Sequence, residues 1–329
     1  MLSNILLVIL IPIFIYFYIK DRKFRHSILE SQKLCSEGKL EEALNCLSRV
    51  LEKKPKDYQV LLERGGIYQE LDQQTEALQD FNTSLELKPS AYGYAARGSL
   101  LRELGKVHEA IQDLEMAIRF EPREINYQIN LGIALAESGD KAEALQCFER
   151  LLAADPKNKM ALLNRGILLF ELGRFELALE DYNSVLMHED LSSNVQVNRA
   201  ATLLMLNRPD EAISAANEAL KKDPTSMNAR INLAVALMAI GELEQAWAVL
   251  EDAEQSDSSF WKIDYNKACI CSLRGDSAAS IERLNEAILK SKGEITLEKI
   301  QSESDLDPIR AHPRYLELIP KLESGIPDS

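Results

Sequence analysis

An asparagine recurs every 34 residues through the second half of the sequence, as Asn130, Asn164, Asn198, Asn232 and Asn266. A carboxamide donates and accepts hydrogen bonds at once, which matches what the backbone of an extended peptide offers. The row therefore predicts a surface that binds a peptide segment through several weak contacts. The alternative is that each amide bonds a neighbouring helix of its own chain.

More asparagines precede this row by one helical turn. They are Asn126, Asn194 and Asn228. Residues four apart share one face of a helix, so these amides extend the polar surface instead of lying opposite to it. Apolar residues follow three positions after the row, at Ile133, Ile167 and Val235. We expect them to form shallow pockets for the side chains of a bound segment.

Glutamates recur on the same face at its C-terminal end, as Glu70, Glu103, Glu137 and Glu171. In the last turn of a helix the dipole disfavours an anion by about 0.3 to 1 kcal/mol, so helix propensity does not explain these positions. One interpretation is pairing within the chain, with Arg64, Arg97, Arg102 or Arg165 as partners. The other is an acidic wall that selects a peptide carrying basic residues.

Motifs for catalysis are absent from the sequence: it has no glycine-rich phosphate loop, no His-Glu-x-x-His helix and no serine elbow between glycines. The five cysteines lack paired C-x-x-C spacing, and the four histidines are isolated from one another. Neither a disulfide framework nor a zinc site is indicated. We therefore predict a protein that is not an enzyme and that uses no metal or cofactor.

The elements that must position these residues are short amphipathic helices in pairs. In the stretch 125–158, Gly132 allows a close approach of two helices, Gly139 ends the first helix, Ala144 lies where the second crosses it, and Pro156 ends the unit. This pattern returns along the chain. It defines eight copies, at 24–57, 58–90, 91–124, 125–158, 159–192, 193–226, 227–260 and 261–294.

A unit of 34 residues with small residues at positions 8 and 20 and proline at 32 resembles the tetratricopeptide repeat. The resemblance implies an all-α fold, a right-handed superhelix of the α-solenoid type in which each helix pair packs on its neighbours. It also implies that the first helices line the inner, concave surface, to which position 6 with its asparagines belongs. Residues 295–329 are expected to cap the last copy.

The N-terminus differs from the repeats. Residues 2–19 contain no charged side chain and would span roughly 27 Å as a helix, close to the thickness of a bilayer's hydrocarbon core. The basic segment 20–26 follows at once. We predict an uncleaved transmembrane helix over 1–19, with the repeats on the cytoplasmic side of a membrane that the chain crosses once.

The net charge of the chain excludes one class of partner. The formal charge is -14, and the chain after residue 26 carries -17, so it repels nucleic acid. The sequence therefore predicts a membrane-anchored scaffold that binds an extended segment of a partner protein, one with basic residues if the acidic wall is functional. The alternatives are an extracytoplasmic or envelope assembly factor that acts through oligomeric contacts, and a regulatory subunit of a membrane enzyme.

Overall fold

The structure, a computed structural model, describes residues 28–187 and 193–324. Within these ranges the chain is helical, with no β-strand, and the helices follow one another in antiparallel pairs joined by short turns. The expected all-α helical repeat fold is confirmed. The right-handed sense of a superhelix stays a prediction. The helices group into two compact units, Met1–Pro156 and Lys157–Ser329.

The described residues of the first unit, from 28 onward, form four helix pairs. The described part of α1 covers 28–36. It is followed by α2 (Leu40–Lys53), α3 (Tyr58–Glu70), α4 (Gln74–Leu87), α5 (Ala91–Glu103), α6 (Val107–Phe120), α7 (Ile125–Glu137) and α8 (Lys141–Ala154).

In its described part, 157–187 and 193–324, the second unit contains four further pairs and a C-terminal segment. The pairs are α9 (Lys159–Glu171) with α10 (Phe175–Leu186), α11 (Ser193–Met205) with α12 (Pro209–Lys222), α13 (Met227–Ala239) with α14 (Leu243–Ser256), and α15 (Lys262–Leu273) with α16 (Ser277–Ser291). The segment after them consists of α17 (Leu297–Ser302), a 3-10 helix (Ser304–Ile309), α18 (Pro313–Leu316) and α19 (Leu318–Ser324).

Local chemistry explains where the helices begin and end. Asn158 precedes α9, and its side chain accepts a hydrogen bond from the backbone N–H of Ala161 at 3.0 Å, which satisfies a free donor of the first turn. At the turn within each pair the chain needs a left-handed residue. Gly139 supplies it with φ 93°, whereas Asp72 and Asn207 adopt φ of 58° and 54° at the matching turns.

In several repeats a small residue of the first helix packs against an aromatic ring of the second helix. A Cβ added to Gly132 would lie 2.8 Å from the Phe148 ring, which is 1 % exposed. Gly166 faces Tyr182 in the same way, at 2.7 Å from the nearest ring carbon. Because the ring fills the space that a side chain would need, the first and second helices of a pair approach closely at position 8.

The predicted transmembrane helix (1–19) and the basic segment (20–26) lie outside the described residues. Over 28–187 and 193–324, none of the helices is both long enough and apolar enough to cross a bilayer.

Candidate functional site

The first helices from α3 to α13 present one stripe to solvent in the same way. The stripe comprises positions 2, 6, 9 and 13 of a repeat, counted from the first residue of its range. In α3, α5, α7, α9, α11 and α13, positions 2 and 13 are exposed, position 6 is half-buried and position 8, outside the stripe, is buried. Position 6 is therefore recessed between two exposed residues of its own helix.

In the second unit the stripe carries amides at position 6. The Asn164 side chain donates from Nδ2 to the backbone carbonyl of Met160 in its own helix, at 2.8 Å. The Asn232 side chain donates from Nδ2 to the carbonyl of Val197 in α11, at 3.0 Å. Bonding to a neighbouring helix, the alternative to ligand binding, thus occurs at Asn232. Each bond uses one N–H of the amide and leaves the other N–H and the carbonyl oxygen available for a ligand.

Asn266, the last member of the row, is covered. It is 8 % exposed and donates to the Lys262 carbonyl at 2.7 Å, and the residues Ile263 to Ser272 of α15 are all buried. The C-terminal segment lies on this helix: the Tyr265 hydroxyl donates to the Glu303 carboxylate at 3.4 Å. The exposure that we expected along the row therefore does not extend to Asn266.

The other predicted amides lie at or near the surface. Asn130 and Asn198 are half-buried, and Asn194 and Asn228 are exposed. Asn126 is also exposed, and its Nδ2 donates to the Glu124 carboxylate at 2.9 Å.

The four predicted glutamates are exposed at position 13. In the first unit two of them accept a bond from position 12 of the preceding first helix. Glu137 pairs with Arg102 at 2.7 Å, and Glu103 accepts from the Gln69 amide at 2.9 Å. Consecutive first helices of this unit are thus in direct contact beside the stripe, and part of the acidic charge is neutralised within the chain.

Three other arginines that we expected to pair with these glutamates make bidentate bonds to aspartates. Each of those arginines instead binds an aspartate of the second helix in its own repeat, through two hydrogen bonds of 2.6 to 2.8 Å. The pairs are Arg64 with Asp80, Arg97 with Asp113 and Arg165 with Asp181. Their regular spacing of 16 residues was the signal in the sequence, and it points away from the stripe.

Sequence reasoning missed a group on the stripe of α3 and α5. Glu63 takes position 6 in its repeat, and its carboxylate accepts from the Gln32 amide at 3.1 Å. Tyr92, at position 2 of the next repeat, is 56 % exposed. Partial burial, and then the charges of Glu63 and Glu70, raise the pKa of the Tyr92 phenol. Glu63 and Tyr92 therefore add a carboxylate and an aromatic ring to the stripe of the first unit.

The titratable side chains do not assemble into a metal site in the part of the chain that is described, where no three His, Cys, Asp or Glu residues converge. The recessed amides, apolar residues and exposed carboxylates offer hydrogen bonds, contact area and charge. This arrangement is suited to binding.

Comparison with protein families gives two matches, both to models described as tetratricopeptide repeat. One model matches residues 34–92, 95–146 and 129–193, and the other matches 203–259, so that together they cover more than half of the chain. Comparison with curated proteins gives no match.

Solved structures share the fold at low sequence identity. A tetratricopeptide repeat protein from Parabacteroides merdae has a TM-score of 0.60 and 20 % identity, over 81 % of this chain and 99 % of that one. PilW, a type IV pilus biogenesis factor, has a TM-score of 0.59 and 20 % identity, over 63 % of this chain and 96 % of that one. Pseudomonas aeruginosa pilF has a TM-score of 0.55 and 19 % identity, over 64 % of this chain and 96 % of that one. At this identity the likeness concerns the fold alone.

Proposed function

The chain belongs to the tetratricopeptide repeat family and is an interaction scaffold of that type, and from this premise we propose that it binds an extended segment of a partner protein along the stripe of its first helices. The observation that carries the proposal is the recessed amide at position 6 between exposed residues. An extended backbone lying on the stripe meets a donor and an acceptor at Asn164, Asn198 and Asn232 in the second unit.

Apolar side chains give this surface its contact area. Met160 and Met205 are 53 % and 57 % exposed on the stripes of α9 and α11, and Ile167 is 37 % exposed between Asn164 and Glu171. Methionine adapts its shape to different partners, so these residues supply contact without demanding one partner sequence. We propose that the second unit binds the segment through its backbone and through small apolar side chains.

The first unit presents a more acidic stripe, with Glu70, Glu103 and Glu137 at position 13 and Asn126 and Asn130 before the last of them. The stripe positions of α3, α5 and α7 carry no cation, and Arg102, which adjoins the stripe at position 12, is already paired with Glu137. We therefore propose that the partner is basic where it meets this unit, because unlike charges steer and orient the encounter. Glu171 continues the acidic positions into the second unit.

The test places a photoreactive amino acid in the full-length chain in native membranes, at Ala201 on the stripe of α11 or, as a control, at Ser214 on α12. We expect a crosslinked partner from Ala201 and none from Ser214. Replacing Asn198 and Asn232 by alanine should weaken capture, at about 0.5 to 1.5 kcal/mol for each lost hydrogen bond.

The matched control is Asn217→Ala, since Asn217 is an exposed amide on α12, away from the stripe. Capture that is equal from both photoreactive positions, or capture that survives loss of both stripe amides, would refute the proposed surface. Circular dichroism of each variant verifies that the helices remain folded.

We further propose that residues 1–19 anchor the scaffold in a membrane as a single span with the repeats on the cytoplasmic side. The support is the uncharged stretch followed by four basic residues. Deleting 2–19 should release the chain from carbonate-washed membranes, and protease should digest the repeats in vesicles whose cytoplasmic face is outward. Protection of the repeats there would favour the alternative, an extracytoplasmic assembly factor that acts through oligomeric contacts.

A regulatory subunit of a membrane enzyme is the remaining alternative. It differs from the scaffold in that its partner has turnover that changes on binding. Activity assays of the captured partner, with and without the chain, separate the two.

A further inference from the structure

Four first helices carry arginine at position 7. Arg97, on α5, shows what the position does: it donates two bonds of 2.7 and 2.8 Å to Asp113 of α6 and a third, of 2.8 Å, to the Asn82 oxygen of α4. The guanidinium therefore lies between two successive second helices. Arg64 and Arg165 likewise pair with the aspartate at position 23 of their own repeats.

Arg199, on α11, is the fourth arginine, and its repeat lacks the aspartate. Position 23 there is Ala215, which is fully buried and has no carboxylate. The Arg199 Nε donates to the Asn183 oxygen of α10 at 2.8 Å, a bond equivalent to that between Arg97 and Asn82. Arg199 is half-buried and has no ion pair with any residue of 28–187 or 193–324. Its charge is thus partly removed from water and met by a neutral amide.

One carboxylate of the same repeat senses Arg199 but is bonded elsewhere. Glu211 accepts two bonds from Arg208, of 2.6 and 2.7 Å, and the pKa of its carboxyl is lowered first by that bond and least by Arg199. A partly buried cation without a counter-charge lowers stability, and the aspartates offset this cost in the other three repeats. A local rule that is broken without compensation inside the chain is typical of a functional site.

We propose that Arg199 binds a carboxylate of a partner protein, an aspartate or glutamate side chain that replaces the acid missing at Ala215. Guanidinium and carboxylate form two parallel hydrogen bonds, and the three intramolecular pairs show that position 7 presents arginine for this geometry. Position 7 is turned away from the stripe, so this site goes beyond the proposed function. A chain with both surfaces holds a basic segment on one side and an acidic group on the other.

The net charge of the chain favours a carboxylate carried by a protein over a free acid. After residue 26 the chain carries -17, which repels small anions. A carboxylate on a segment that also carries a cation escapes this repulsion, because the segment is neutral as a whole. The amide of Asn183 is already bonded to Arg199, so the ligand meets the guanidinium groups that this bond leaves.

The experiment follows the reaction of phenylglyoxal with individual arginines of the full-length chain in non-ionic detergent, by peptide mass spectrometry. The reagent modifies accessible guanidinium groups that no carboxylate holds. We expect Arg199 to react faster than Arg64 and Arg97, which are similarly half-buried but paired. Equal, slow reaction of all three would show that Arg199 has a carboxylate partner within the chain, against the proposal.

Binding is measured as protection of Arg199 by blocked peptides of serine that contain one lysine and either one glutamate or one glutamine. The glutamate peptide should slow the reaction of Arg199 about two- to fivefold at about 0.15 M salt, and the glutamine peptide should not. General attraction to the acidic chain would favour the glutamine peptide, since its net charge is more positive. Arg150 is the internal control, because it is exposed on α8 and bonds only the Gln146 carbonyl, at 3.3 Å.

Two variants remove the site and recreate it elsewhere. Ala215→Asp supplies the missing acid, so Arg199 should react as slowly as Arg97 and lose its protection by the glutamate peptide. Asp113→Ala leaves Arg97 with Asn82 alone, the arrangement of Arg199, and should make Arg97 both faster to react and protected by that peptide. This second variant does not depend on whether the core accepts a larger side chain at Ala215.

The outcomes decide between the possible occupants. Equal protection by the glutamate and glutamine peptides, or equal protection of Arg150 and Arg199, would overturn the site. Protection by acetate as strong as that by the glutamate peptide at the same concentration would assign it to free carboxylic acids, against a protein partner. Each of these results leaves the stripe untouched, because Asn198→Ala and Asn232→Ala test that surface separately.

Discussion

Two neighbouring glycines in α3 should respond oppositely to the same substitution. Gly65 occupies position 8 and faces the second helix of its repeat, whereas Gly66 lies at position 9 on the exposed stripe. A Cβ on Gly66 would meet no atom within 4 Å, but a Cβ on Gly65 would lie 2.6 Å from a carbon of the Phe81 ring. The ring is fully buried, so it has no free space into which to move.

The magnitudes follow from these contacts. Alanine in place of a helical glycine stabilises the folded state by about 0.5 to 1 kcal/mol, and this gain applies to both positions. At Gly65 the added methyl group overpacks the core, at a cost of about 1 to 3 kcal/mol. The helix contribution cancels between the two variants. We therefore expect Gly65→Ala to be less stable than Gly66→Ala by about 1 to 3 kcal/mol.

Urea unfolding followed by circular dichroism compares the two variants, and amide hydrogen exchange in α3 and α4 reports the change locally. Tryptophan fluorescence is unsuited to the comparison because both tryptophans, Trp247 and Trp261, lie in the second unit. Equal stability of the two variants would refute the packing argument. In a Phe81→Leu background the penalty at Gly65 should shrink, and a double-mutant cycle measures that coupling.

Two other predictions concern the second unit. Asp181→Ala leaves the Arg165 guanidinium without its bidentate partner and should destabilise the fold by about 2 to 3 kcal/mol, less than for a fully buried charge because Arg165 keeps 25 % exposure. Replacing both residues, Arg165 by Met and Asp181 by Leu, should recover most of this stability in urea unfolding. A double variant as unstable as Asp181→Ala would contradict a pairing role. Leu306→Ala should loosen the C-terminal segment and speed the thiol labelling of Cys269. The pKa of Cys269 is raised by burial and then by Glu303 and Asp305. Buried Cys147 in the first unit is the control and should keep its slow labelling rate.

The helices were predictable because their determinants are local. Gly132, Gly139, Ala144 and Pro156 define a unit in which small residues, a left-handed turn and a helix stop each act over a few residues. The same residue types recur at a fixed period, so the pattern identified in one copy locates the other copies. The observed α7 (Ile125–Glu137) and α8 (Lys141–Ala154) lie where that unit predicts two helices.

Pairing was harder to predict than helicity. Arg64 and Arg97 were candidates for the glutamates at position 13, but position 7 turns toward the second helix of the same repeat, where Asp80 and Asp113 lie. Arg102, at position 12, does reach across to Glu137 in the next repeat. Which acid an arginine meets depends on the packing of two helices, and residue type alone does not specify it.

The solvent accessibility of individual polar side chains was harder still to predict from the sequence. Asn266 shares its position and its residue type with Asn232, yet it is buried in α15, the helix whose Tyr265 bonds to Glu303 of the C-terminal segment. The cation–π contact of Tyr58 is equally invisible in the sequence, because Lys88 reaches its ring from the end of the next helix.

By itself the sequence determined that the chain is a row of paired helices and which side of each helix packs, because small and apolar residues recur at helical spacing. It also indicated the stripe on which amides and glutamates recur. Only the tertiary structure decided which of these polar groups remain open to a partner, since burial and ion pairing depend on neighbours that lie 16 to 38 residues away in the chain. The amides at positions 164, 198 and 232 and the glutamates at position 13 are accessible for that reason, and Asn266 is not.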